Sequence, residues 1–118
     1  MGLSTHVLDT MHGKPAAGMG VLFYRTLPGQ APQCLAEITL NADGRNPAGL
    51  LVGHDALQAG TYRLVFAVAA YFRSLGVVLP EPPFLDEVTL DFGIADPAAH
   101  YHVPLLVSPW SHATYRGS

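Results

Sequence analysis

Residues 100–118, HYHVPLLVSPWSHATYRGS, decide how the rest of this chain must fold. Successive side chains of a strand point to opposite faces, so His100, His102, Pro104 and Leu106 share one face while Tyr101, Val103 and Leu105 share the other. The first face opens with two imidazoles, and the second is suited to a core. Ser108-Pro109 interrupts the run, and a second segment over residues 112–116 can return antiparallel to it. The pattern predicts a hairpin with Tyr115 and the last residues folded back beside the imidazoles.

Upstream, the same alternation recurs. Residues 3–10 read as a strand with Ser4, His6 and Leu8 on one face and Leu3, Thr5, Val7 and Asp9 on the other. Residues 12–18, with Gly13, Pro15 and Gly18, form a turn or loop into a β-rich stretch at 20–27. A further strand over 34–40 carries Leu35, Ile38 and Leu40 and ends in the turn Asn41-Ala42-Asp43-Gly44, from which Arg45 leaves directly. A short edge strand at 50–52 lies within a Gly-, Pro- and Ala-rich loop. Residues 61–68 place Tyr62, Leu64 and Phe66 on one face, and the one good helix candidate, residues 69–75, ends where Gly76 supplies a C-terminal cap. Pro80, Pro82 and Pro83 force an extended link, and residues 86–94 alternate again. Seven or eight short strands spaced by about 10 to 15 residues, with turn signals between them, predict an antiparallel β-sandwich carrying one short helix.

Composition narrows the function classes. A chain of 118 residues fits one domain, residues 1–118, and 49% hydrophobic against 13% charged residues excludes a disordered chain. Six Lys and Arg against nine Asp and Glu leave no basic stripe for phosphates, which argues against nucleic acid as a partner. Much apolar surface with little charge points to burial in an oligomer interface. The single cysteine, Cys34, excludes an intrachain disulfide and is expected in the core. No apolar stretch reaches the roughly 18 to 20 residues of a membrane span, and the first residues lack an export pattern, so the expected location is cytoplasmic.

Of the six histidines, each taken singly reads as structural or solvent-facing; His100 and His102 together carry more. An H-x-H on a strand projects two imidazoles to one side, a spacing that serves metal ligation or a base supported by a neighbour. His6 could add a third ligand, but no adjacent Asp, Glu or Cys completes a metal motif. Arg45 after a glycine reads by itself as an exposed turn charge, and Arg116 equally as a carboxylate partner or an exposed side chain. Ser118 lacks the context of a nucleophile, and Gly18 and Gly20 do not form a dinucleotide fingerprint.

Several separated segments resemble the 5-hydroxyisourate hydrolases, or transthyretin-related proteins. They are LSTHVLDT with GKPA (3–10 and 13–16), NADGR (41–45), GTYRLVF (60–66), AYF (70–72), HYHVPLL (100–106), SP (108–109) and TYRGS (114–118). YRGS separates the hydrolases from the transthyretin hormone carriers, which share the fold. The resemblance implies a transthyretin-like β-sandwich, a homotetramer built as a dimer of dimers, and active sites at the dimer–dimer interface. It also implies hydrolysis of 5-hydroxyisourate to 2-oxo-4-hydroxy-4-carboxy-5-ureidoimidazoline, in urate degradation, by water attack on a cyclic amide without metal or organic cofactor. Carried over by motif, His6, Arg45, His102 and Ser118 are the catalytic residues. Substrate-binding roles fall to His6, Arg45 and Tyr115, with His100 secondary.

Trp110-Ser111-His112-Ala113 departs from the family's usual aromatic, glycine, tyrosine and serine before TYRGS, and the link at 79–83 is longer than usual. Two competing readings are a small-ligand carrier on the same fold and a zinc protein using His6, His100 and His102. The polar positions disfavour the first, and the lack of a carboxylate or thiol ligand disfavours the second.

Overall fold

The computed structural model describes residues 2–53 and 56–118; His54, one of the six histidines, lies outside the described residues together with Asp55. Alternation writes the first strand, Gly2–Asp9 (β1): Leu3, Thr5, Val7 and Asp9 are buried, while Ser4, His6 and Leu8 stand half-buried on the opposite face. There follow Lys14–Pro15 (β2), Gly20–Thr26 (β3), Gln33–Thr39 (β4), Val52–Gly53 (β5) and Gly60–Phe66 (β6). Then come the helix Val68–Ser74 (α1), Val88–Ile94 (β7), Tyr101–Val107 (β8) and His112–Thr114 (β9). One sheet runs β2-β1-β8-β9 with β5 also paired to β1, and the other runs β4-β3-β6-β7.

Between the two sheets lies a core that includes Leu3, Val7, Phe23, Leu64, Phe66 and Leu105, all essentially inaccessible to water. Burying each such side chain contributes about 1.5–3 kcal/mol relative to leaving it exposed. The helix packs Val68, Ala69, Tyr71 and Phe72 inward and ends as Gly76, at φ +83°, turns the chain while its N–H reaches the Arg73 carbonyl at 3.0 Å.

The strand count exceeds the expected seven or eight because β2 is a two-residue pairing along β1 inside the expected turn, while the short edge strand expected at 50–52 is β5, also paired to β1. The sandwich is also not wholly antiparallel: β1 and β8 run parallel, with Leu3 opposite Tyr101 through Asp9 opposite Val107. These two strands are far apart in sequence, so no tight turn dictates an antiparallel return. Cys34 is exposed rather than in the core. It lies on edge strand β4 beyond a register shift between Phe23 and Tyr24, and of the apolar residues expected there Leu35 is also exposed while Ile38 and Leu40 are buried.

One buried charge joins the sheet to the helix. The Asp9 carboxylate accepts hydrogen bonds from the Tyr71 hydroxyl (2.7 Å) and the His12 backbone N–H (2.9 Å), and meets His12 Nδ1 at 2.6 Å. Burial pushes the Asp9 carboxyl upward, but these donors outweigh it and hold the group below its ordinary value. Burial and the Asp9 charge push the Tyr71 hydroxyl far upward.

Phe84, just beyond the proline-rich link, packs its ring 5.8 Å from that of Trp110 on the surface. The turn beneath is closed by the Ser108 hydroxyl, which accepts from the N–H groups of Trp110 and Ser111.

Candidate active site

The parallel register of β1 and β8 sets Ser4 opposite His102 and His6 opposite Pro104. The outward face of this pair therefore carries Ser4, His6, His102 and, one step before β8, His100. The Ser4 hydroxyl lies 2.8 Å from His102 Nδ1 and 3.4 Å from His100 Nε2. Two imidazoles predicted to share a face do so, and Ser4 joins them. A hydroxyl two residues before His6 on the same strand face was the signal that could have found it.

Arg45 arrives from a different part of the chain by a turn that the sequence of residues 41–45 builds. Asn41 Oδ1 accepts from the N–H groups of Asp43 (2.9 Å) and Arg45 (3.1 Å), and Gly44 takes φ +72°. A Cβ at Gly44 would stand 2.5 Å from the Val7 carbonyl oxygen, so this close approach requires glycine. The Val7 N–H in turn donates to the Gly44 carbonyl at 2.9 Å, and His6 and Arg45 form an isolated antiparallel bridge. Arg45 is thereby fixed beside His6, with its side chain exposed.

At the other border of the cluster, the C-terminal segment returns to His102. The His102 and Gly117 backbones pair, with Ser118 one residue beyond. Among the described residues Arg116 pairs with no carboxylate: its guanidinium lies 4.5 Å above the Tyr101 ring and donates to the His100 carbonyl at 3.2 Å. Tyr115 takes a different direction from the imidazoles. It lines a cleft of about 410 Å³ with Phe92, Tyr101, Val103 and Arg116, next to the core-facing side chains of β8. A second cleft of about 410 Å³ is bordered by Ser4, Asn41, Arg45, Pro47 and His100, at the edge of the histidine face.

Electrostatics keep both imidazoles neutral. Burial lowers the pKa of His6 and the Arg45 cation lowers it further, against partial opposition from the Asp43 backbone and carboxylate. Burial likewise lowers that of His102, assisted by Arg45, His6 and His100. A neutral imidazole can accept a proton from water at neutral pH, and a fixed guanidinium can hold an anionic ring or the charge that develops on a carbonyl oxygen. Among the described residues no three His, Cys, Asp or Glu side chains are grouped to hold a metal. No helix among them is long and apolar enough to cross a membrane.

Residues 3–117 match the family model for Transthyretin, described as the HIUase/Transthyretin family. A 5-hydroxyisourate hydrolase of Ralstonia nicotianae is 54% identical over 116 residues, covering 98% of this chain and 97% of that protein. The structure of Klebsiella pneumoniae 5-hydroxyisourate hydrolase aligns over 100% of both chains with a TM-score of 0.80 and 34% identity. Sea bream transthyretin, solved in complex with thyroxine, aligns with a TM-score of 0.83 and 26% identity over 99% of this chain and 95% of that one. With the matched segment spanning nearly the whole length, from β1 through the return of Gly117 to His102, the chain belongs to the HIUase/Transthyretin family.

Proposed function

We propose that this chain hydrolyses 5-hydroxyisourate by attack of water on a cyclic amide. The observation that carries the reading is the convergence of His6, Arg45 and His102 on one outward sheet face, in a chain about half identical to a 5-hydroxyisourate hydrolase. One imidazole takes a proton from water as its oxygen bonds to the carbonyl carbon. The tetrahedral oxyanion that results faces the Arg45 guanidinium. Collapse breaks the ring C–N bond, the imidazolium formed in the first step returns its proton to the departing nitrogen, and the new carboxyl group loses its remaining proton to solvent, which leaves a carboxylate on the opened ring and a neutral imidazole.

In this reading residues 1–118 act as one hydrolase unit, and the histidine face forms an active site in the dimer–dimer interface of a cytoplasmic homotetramer. Ser118 contributes to the site from the C-terminal segment beside the Gly117–His102 pairing, whereas Tyr115, which lines the other cleft of its own chain, meets substrate only across the tetramer interface. No metal or organic cofactor is required, because the base, the cation and the water suffice for amide opening.

A carrier of small ligands on the same fold is the second reading, favoured by the likeness to sea bream transthyretin. Against it stand two neutral imidazoles and a guanidinium where simple retention of an apolar ligand needs none. Reaction in ¹⁸O-labelled water separates the two. The hydrolase reading expects ring-opened product with one heavy oxygen in its new carboxylate, formed ahead of the spontaneous reaction, whereas product at the spontaneous rate with retained ligand supports the carrier.

A further inference from the structure

Ser4 stands between two imidazoles on the face proposed for catalysis. Its hydroxyl carries one proton and can accept two hydrogen bonds, so its neighbours constrain each other's protonation. The short contact, 2.8 Å to His102 Nδ1, and the longer one, 3.4 Å to His100 Nε2, admit two arrangements. In one, Ser4 donates to His102 Nδ1, which places the ring proton on Nε2 and removes His102 as a base at that nitrogen. In the other, His102 donates Nδ1–H to Ser4 Oγ, and the Ser4 hydroxyl donates onward to His100 Nε2. His102 Nε2 is then bare and, among the described residues, without a hydrogen-bond partner.

The second arrangement is the one that suits the site. The His102 ring is half-buried and held neutral by burial and by the Arg45 cation, so it must carry a single proton. When Nε2 takes a proton from water the ring becomes an imidazolium, whose Nδ1–H is a stronger donor and needs an acceptor already in place. Ser4 Oγ provides that acceptor in the second arrangement without reorientation. In the first arrangement Nε2 already carries the ring proton and the Nδ1 lone pair is occupied by the Ser4 hydroxyl, so neither nitrogen is open to a proton from water.

We propose that Ser4 is a positioning residue that fixes His102 as the Nδ1–H tautomer, with His100 as the onward acceptor, so that His102 Nε2 is the base of the reaction. No bond to Ser4 forms or breaks. The water proton moves to His102 Nε2, the Nδ1 proton stays on His102, and the Ser4 proton stays on its oxygen. The assignment of a reacting base rests on the hydrolase reading, whereas the tautomer itself does not depend on it.

The test combines ¹⁵N NMR of histidine-labelled protein with steady-state kinetics on 5-hydroxyisourate, for the natural chain and for Ser4→Ala and Ser4→Thr. The natural chain should show His102 protonated at Nδ1 and bare at Nε2. Ser4→Ala should shift His102 toward the Nε2–H form and lower kcat about tenfold, the effect of withdrawing one hydrogen bond from the transition state, with KM within about twofold. Ser4→Thr, which keeps the hydroxyl, should retain both the tautomer and most of kcat. A natural-chain His102 protonated at Nε2 overturns the proposal, as does a Ser4→Ala variant with unchanged tautomer or unchanged kcat. Should Ser4→Ala fail to fold, the tautomer of the natural chain and the behaviour of Ser4→Thr still decide. A natural chain that does not accelerate the reaction defeats the hydrolase reading, and the NMR result then judges the Ser4 link by itself.

Discussion

The backbones of His102 and Gly117 exchange two hydrogen bonds, the His102 N–H to the Gly117 carbonyl at 3.1 Å and the Gly117 N–H to the His102 carbonyl at 2.7 Å. This pairing brings the C-terminal segment against an imidazole of the candidate site and fixes the strand position from which that imidazole projects. It is also tight. A Cβ placed on Gly117 would lie 3.1 Å from the His102 Cβ and 3.3 Å from its Cδ2.

Gly117→Ala should therefore displace the His102 ring rather than unfold the chain. The expected outcome is a fall in kcat of about tenfold or more, because small displacements of a reacting group are costly, with Tm nearly unchanged. Full activity in this variant would show that the ring of His102 is not held by its neighbour.

His6→Asn and His102→Asn each remove a proton acceptor from a half-buried outward position without opening the core. Turnover should fall on the order of 10²–10⁴-fold for His102→Asn, which removes the assigned base, and also for His6→Asn, while Tm moves by a few degrees at most. Equal loss of folding and activity at His102 would make it a structural residue.

The pH profile follows from the direction of the imidazole shifts. Both His6 and His102 lie below the ordinary histidine value, through burial first and the Arg45 cation second, so the basic forms persist as pH falls past about 6.5. The acid limb of kcat/KM is expected below that pH. In Arg45→Ala the cation is gone, and both rings should titrate at higher pH by NMR; unchanged titration would separate Arg45 from the imidazoles.

Away from the site, Tyr71→Phe removes one of the donors to the buried Asp9 carboxylate and should destabilise the fold by ~1–3 kcal/mol. Asp9 itself is held below its ordinary value, which in the unfolded chain is about 3.9. A depressed carboxyl stabilises the folded state above that pH and ceases to do so as pH falls through the lower, folded value. Thermal unfolding against pH should thus show the natural chain losing stability in acid more steeply than Asp9→Asn. Parallel curves would contradict this assignment.

Much of this was legible from alternation. Residues 100–106 announced both the core face of β8 and the imidazole face, and residues 3–9 did the same for β1. What alternation could not give was the parallel register between those two strands, since it depends on packing across the whole chain rather than on a local turn. Without that register Ser4 could not be set opposite His102. The approach of Arg45 to His6 was equally hidden, because it needs Gly44 against the Val7 carbonyl, a contact between distant segments. Tyr115 and Arg116 illustrate the limit at an exposed end: the expectation of a return strand held, but the tyrosine faces a different cleft and the arginine rests on Tyr101. Cys34 misled through its hydrophobicity, which says nothing about whether its strand lies at an edge.

The central claim is catalysis of 5-hydroxyisourate hydrolysis by the His6, Arg45 and His102 face, and the ultraviolet decay of freshly generated 5-hydroxyisourate tests it most directly. Decay should be much faster with the natural chain than without it, should survive treatment with a chelator, and should return toward the spontaneous rate in folded His6→Asn and His102→Asn. A decay no faster than the spontaneous reaction, from folded natural chain, would contradict the claim and favour a carrier; loss of acceleration with chelator would require a metal.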